Sequence, residues 1–185
     1  MVERVLTIGV SVAVPEPEGL SLQKYRVSLG DETARHIPTH ITLVPPTEVA
    51  QDDLPAITAH LAARAAEHAP YRVSLRGTGT FRPVSPVVFI GVVEGISGCE
   101  LLAADIRTGP LAVDVAFPYH PHVTVAHDLP AEQLDHAFDD LSGYRTHFDV
   151  TEFWLYVHDE AQGWRPTQAF ELGGRHEGGA HPPVD

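Results

Sequence analysis

Basic residues are scarce in this chain. Twelve Lys and Arg stand against 25 Asp and Glu, a formal net charge of −13 at pH 7, and Lys24 is the only lysine. A protein that grips a long nucleic acid by its phosphates carries clustered basic side chains, whereas these arginines are scattered from Arg4 to Arg175. The field of such a molecule repels a polyanion at low salt, which argues against a long duplex as partner. A small phosphorylated ligand, or a single RNA end, stays compatible with a locally positive cleft. Cysteine occurs once, at Cys99, which excludes an internal disulfide framework and a multi-cysteine zinc site. No stretch approaches the roughly 18 apolar residues of a membrane span. The opening residues, Met1 to Val5, lack the basic-then-apolar layout of a signal peptide, so a cytoplasmic protein without membrane contact is expected. No Gly-rich nucleotide loop follows the first apolar stretch, so a dinucleotide-binding fold has no support.

What the chain does contain is an ordinary share of apolar residues, 43%, over a length of 185 that allows one well-buried core. Val2 to Val14 reads as a strand closed by Glu16-Pro17, and Gly19 to Leu29 as a helix ended by Gly30. A strand over His36 to Val44 is expected to stop at Pro45-Pro46. Thr47 is a candidate cap for the helix that follows, about Leu54 to His68. Tyr71 to Phe81 and Pro86 to Glu94 form a hairpin pattern. Cys99 to Thr108 reads as a short helix, His120 to Ala126 as a strand, and Ala131 to Leu141 as a helix. Arg145 to His158 and Arg165 to Leu172 read as a closing strand pair. A single domain over residues 1–172 is expected, with a disordered Gly-, His- and Pro-rich tail over 173–185. Hairpin-linked strands mixed with helices argue for an α+β fold with two largely antiparallel sheets, not for a doubly wound parallel sheet.

One short pattern occurs twice. His40-Ile41-Thr42-Leu43 and His122-Val123-Thr124-Val125 each place His-x-Thr inside a run of β-branched and aliphatic residues. Side chains two apart on a strand share a face. His40 and Thr42 therefore lie on one face and Ile41 and Leu43 on the other, and the second copy behaves alike. Each strand buries an apolar face and presents an imidazole and a hydroxyl, so two such strands side by side line one cleft.

That set of groups suits phosphoryl chemistry. Breaking a phosphodiester without metal needs a base for the attacking water and an acid for the departing alkoxide. Histidine, with an ordinary pKa near 6.5, can serve as either near neutrality. Threonine hydroxyls can donate to the non-bridging oxygens as charge develops there. A 2′,3′-cyclic phosphate fits this arrangement, since attack on one side opens the ring on the other.

The twin motifs resemble those of the two-histidine phosphoesterase superfamily, in particular its 2′,5′ RNA ligase and cyclic phosphodiesterase branch. The order of elements is similar too, including Gly79-Thr80-Phe81-Arg82-Pro83 and the apolar Val87-Val88-Phe89-Ile90 between the motifs. The likeness runs from about Val5 to Phe170. It implies a bilobal, pseudo-two-fold α+β fold with both motifs facing a central cleft, and no metal or other cofactor. It also implies catalytic roles for His40 and His122 and phosphate binding by Thr42 and Thr124, without saying which histidine is acid and which is base. The partner expected is a small cyclic nucleotide or an RNA terminal phosphate, and the expected state is a monomer.

Four further residues are candidates for substrate contact. His36 and His120 are in phase with the motif histidines if the strands are regular, Tyr119 offers a ring to a base or ribose, and Arg82 offers a positive charge. His127 falls out of phase and reads as structural. Two competing readings remain. One is a metal-binding protein: His120-Pro121-His122 has the spacing of a metal-ligand pair, with His36, His40 and His127 as candidates to complete the set. Alternatively, the chain is a non-catalytic binder of nucleotides or RNA ends.

Overall fold

A computed structural model describes residues 4–174. Its strands are β1 (Val5–Ala13), β2 (His40–Ala50), β3 (Tyr71–Thr80), β4 (Val87–Glu94), β5 (His122–His127), β6 (Arg145–Val150), β7 (Glu152–Asp159) and β8 (Gly163–Glu171). The helices are α1 (Glu18–Ser28), α2 (Leu54–Glu67), α3 (Ile96–Ile106) and α4 (Ala131–Asp140). The fold is α+β, as the strand and helix pattern indicated.

All eight strands form one sheet, in the order β6-β3-β4-β5-β2-β1-β7-β8, and every neighbouring pair is antiparallel. The two sheets expected from sequence are thus two four-stranded halves of a single one. The halves meet through one residue pair, Ile41 with Val123, on the motif strands β2 and β5. The sheet is strongly curled, and the reason lies in the run from Arg145 to Asp159. Its first part, β6, pairs with β3, while its second, β7, pairs with β1 after the single intervening residue Thr151. One nearly continuous extended segment therefore links β6, the first strand of the order, to β7, the next to last, in the other half. The single strand expected over Arg145 to His158 is in fact these two.

Alternation along the central strands determines which face is buried. Ile8, Val10, Ile41, Leu43, Val123 and Val125 are fully buried, and with Ile57 and Leu61 of α2 and Leu102 and Ile106 of α3 they form the core. Each of these larger side chains contributes roughly 1.5–3 kcal/mol by leaving water. α2 packs on α3 and β8, α3 on β2, and α4 on β3, β4 and β5.

Three local expectations are corrected. β2 does not stop at Pro45-Pro46. Val10 faces Val44 and Ile8 faces Thr47, so both prolines stand opposite the single residue Gly9 in a bulge. A bulge removes the need for ladder hydrogen bonds that proline cannot donate, so the strand continues to Ala50. Thr47 lies within that strand, its hydroxyl bonded to the Pro45 carbonyl, and does not cap α2. Finally, His36 is not in a strand. Asp31 accepts a hydrogen bond from the Ala34 N–H and starts a 3₁₀ turn over Glu32–His36 that postpones β2 to His40. Of the expected tail, 175–185 lies outside the described residues, while Gly173 and Gly174 donate backbone hydrogen bonds to the Ala65 and His68 carbonyls at the end of α2.

Candidate active site

The Ile41–Val123 pair sets the geometry of the motifs. In an antiparallel ladder it puts His40 opposite Thr124 and Thr42 opposite His122, all on the face that Ile41 and Val123 leave free. The two histidines are diagonal neighbours, a relation that spaces such residues about 7–8 Å apart. Two cavities meet there. One, about 260 Å3, is lined by His40, Thr42, Thr124, Ser11, Arg26, Tyr156 and Trp164 among others. The other, about 670 Å3, is lined by His122, Thr42, His120, Tyr119 and Arg107, together with residues of two loops. Thr42 borders both.

Both imidazoles are held by the same device. Nδ1 of His40 lies 2.6 Å from the Pro38 carbonyl oxygen, and Nδ1 of His122 lies 2.7 Å from that of His120. A carbonyl only accepts, so Nδ1 must donate, and in each neutral ring the free lone pair is on Nε2. Burial pushes the pKa of both rings below the ordinary 6.5. The carbonyl hydrogen bonds oppose that shift, while neighbouring groups reinforce it, the Arg26 cation for His40 and the His120 and His40 rings for His122. His40 and His122 thus sense each other's charge.

Aromatic packing fixes the His122 side. The Phe81 and Phe89 rings lie 4.5 Å apart, and His122 meets Phe81 edge-on at 4.9 Å. Gly79 makes room for this, since a Cβ there would come within 2.5 Å of the Phe89 ring. Opposite His122 on β4 stands Gly91, which has no side chain to crowd the imidazole. Thr42 gives its backbone carbonyl to the Tyr119 hydroxyl at 2.8 Å, whereas among the described residues the Thr42 and Thr124 hydroxyls make no hydrogen bond within the protein.

The other sequence candidates divide. His120 lines the second cavity and its ring stacks on His122 at 6.2 Å, but it lies in the irregular segment before β5, so its place does not come from strand phase. Tyr119 lines the same cavity, with its hydroxyl committed to β2. Arg82 borders neither cavity; its guanidinium pairs with Asp135 of α4 at 2.7 Å. His36 also lies outside both, its backbone and Cβ against Gly163. His127, set aside as structural, does border the first cavity and pairs with Asp128 at 3.2 Å. Among the described residues no three His, Cys, Asp or Glu side chains converge as a metal site requires.

Among the lining residues that sequence reasoning missed are two arginines and two aromatics. Arg26 on α1 is 4% exposed and bonded to Asp31 at 2.6 Å, and its Nε has no partner. Its signal was legible: it follows Leu22 by four residues, a cation on the buried stripe of a helix. Tyr156 and Trp164 reach the cavity because β7 and β8 lie beyond β1. Gly9 admits the Trp164 ring, which a Cβ at Gly9 would meet at 3.3 Å. Arg107 ends α3, donates from Nε to the Leu43 carbonyl at 2.6 Å, and lies over the Tyr119 ring at 4.9 Å. No local pattern marks Tyr156, Trp164 or Arg107.

Comparison with known proteins bears on the family and the fold. The family model of the 2′-5′ RNA ligase superfamily matches residues 14–162. A protein of Geobacillus kaustophilus named "Putative phosphoesterase" is 28% identical over 141 residues, 75% of this chain and 81% of its own length. Among solved structures, Escherichia coli LigT in complex with 3′-AMP superposes with a TM-score of 0.66 at 20% identity, over 91% of this chain and 99% of LigT. TT0787 of Thermus thermophilus superposes at 0.67 and 24% identity, over 92% and 100%. LigT has also been solved with ATP, NADP+ and phosphate.

Proposed function

Because the chain belongs to the 2′-5′ RNA ligase superfamily of two-histidine phosphoesterases, we propose that it is a metal-independent phosphodiesterase that opens a 2′,3′-cyclic phosphate on a small nucleotide or an RNA end. His40 and His122 form the acid–base pair, and Thr42 and Thr124 hold the non-bridging oxygens. The observation that supports this reading is the register at Ile41–Val123, which makes His40 and His122 diagonal neighbours, each with a free Nε2, and sets Thr42 and Thr124 with unpaired hydroxyls on the same face of the sheet.

The steps follow from those positions. A neutral histidine takes a proton from water through Nε2 as the water attacks phosphorus. The protonated partner, on the far side, gives its Nε2 proton to the departing ribose oxygen. Each fixed Nδ1–H···O=C bond spreads the charge of the imidazolium that forms and keeps Nε2 pointed at the substrate. The threonine hydroxyls donate to equatorial oxygens as their charge grows. Tyr156 and Trp164 line the cavity on the His40 side, where stacking of an aromatic side chain on a nucleobase would be worth roughly 1–3 kcal/mol. The small nucleotides bound by LigT support a ligand of that size.

The test is a panel of nucleoside 2′,3′-cyclic phosphates assayed in excess chelator with wild type, His40→Ala and His122→Ala. Turnover by the wild type is expected to survive chelation, and each substitution to lower kcat by about 10²- to 10⁴-fold. Full activity in either variant would remove that histidine from the mechanism. Loss of wild-type activity in chelator would favour metal-dependent chemistry.

A further inference from the structure

The cavity beside His122 holds a cation that nothing in the described structure neutralises. Arg26, Arg35, Arg64, Arg72 and Arg82 each meet a carboxylate. Arg107 meets none among the described residues. Asp114, the carboxylate on the same lining, is exposed and forms no ion pair with it. Arg107 is nevertheless firmly placed, by the hydrogen bond from Nε to the Leu43 carbonyl and by the Tyr119 ring beneath it. A guanidinium has five N–H donors in a planar fork. Nε uses one, so the terminal nitrogens keep four, on a half-buried side chain that borders the same cavity as Thr42 and His122. In a chain of net charge −13, an arginine held stiffly in a cleft without a counterion is an arrangement for an anionic ligand. The reacting phosphate already has two histidines and two threonine hydroxyls around it.

We infer that Arg107 forms a second anion subsite, which takes a further phosphate of the substrate: a terminal phosphomonoester or an internucleotide phosphodiester on the nucleotide that carries the reacting phosphate. This rests on the phosphodiesterase reading and narrows it to substrates with two phosphates. Val84, Val115 and Phe117, all exposed on the loops of this cavity, give its outer wall an apolar character, so the guanidinium fork is its main means of holding charge.

Three substrates separate the possibilities: adenosine 2′,3′-cyclic phosphate, its 5′-phosphorylated form, and the dinucleotide ApA ending in a 2′,3′-cyclic phosphate. The wild type is expected to show a KM about 10- to 100-fold lower for at least one of the two bearing a second phosphate, and which one identifies the source. Arg107→Gln brings that ratio close to one, and Arg107→Lys restores part of it. Equal KM values in the wild type, or an undiminished ratio in Arg107→Gln, overturn the assignment. A second readout needs no turnover: calorimetric binding of adenosine 3′,5′-bisphosphate against adenosine 3′-phosphate, to wild type and Arg107→Gln. If the wild type hydrolyses none of the substrates yet prefers the bisphosphate and loses that preference in the variant, the catalytic reading fails and the subsite stands. Should Arg107→Gln not fold, the wild-type preference is followed with added salt. It must shrink as ionic strength rises, and a preference indifferent to salt overturns the subsite.

Discussion

The pH dependence of the reaction follows from where the two histidines sit. On the proposed mechanism, turnover needs one imidazole neutral and the other protonated. Burial holds both pKa values below 6.5, so above that pH the neutral pair dominates and the acid is missing. Each ring also disfavours a proton on the other, so the first and second protons bind in separate steps and a singly protonated window lies between them. The profile of kcat/KM is therefore expected to be a bell with its apex below pH 6.5. Its alkaline limb should fall about tenfold per pH unit, a loss of about 100-fold over two units. Initial rates on a cyclic nucleotide, measured from about pH 4.5 to 9 at fixed ionic strength, give the curve directly. Stability runs the opposite way. With folded values below the unfolded one, the contribution of these groups is fully present above pH 6.5 and is lost as pH falls through the folded pKa values. A plateau of activity extending to pH 8, or an apex above 6.5, would falsify the pairing of a buried acid with a buried base.

Two substitutions probe the supports of the site. Arg26→Met leaves Asp31 buried without its cation, and the pair is only 5% and 6% exposed, so urea unfolding should show a loss of about 3–5 kcal/mol; a change below about 1 kcal/mol would mean that water reaches Asp31. Tyr119→Phe removes the donor to the Thr42 carbonyl and should cost about 1 kcal/mol, a fall of roughly 2–4 °C in Tm, together with a drop in kcat as Thr42 loosens; an unchanged Tm and kcat would show that β2 holds Thr42 unaided.

Most of the fold was readable because its signals are local. The alternation of Ile41, Leu43, Val123 and Val125 against His40, Thr42, His122 and Thr124 marks both the motif strands and the face they bury, and no long-range information is needed for either. Reading failed where a distant partner decides. Pro45-Pro46 looks like a strand end until Gly9 is seen opposite, making the bulge that lets the strand run on. The stretch from Arg145 to Asp159 looks like one strand because its backbone nearly is one. Only the partners, β3 and then β1, reveal that it joins the two halves of the sheet.

The same division explains the site. A residue acting through its own strand phase, like His40 or Thr124, carries its evidence within three or four positions. His36 fails that test because Asp31, five residues earlier, diverts the backbone into a 3₁₀ turn before the strand begins. Arg82 was drawn from sequence as a free cation, but Asp135 lies 53 residues away and no periodicity announces it. Arg107 is the reverse case: unremarkable at the end of a helix, it becomes the cleft's unpaired cation only because α3 packs on β2 and sets it against the Leu43 carbonyl. The charge that a phosphate ligand would meet is therefore a property of the topology. In a chain this acidic, composition argues against a long polyanion and leaves a small phosphate ligand open, and the pairing of each arginine, one by one, decides whether the cleft can hold it.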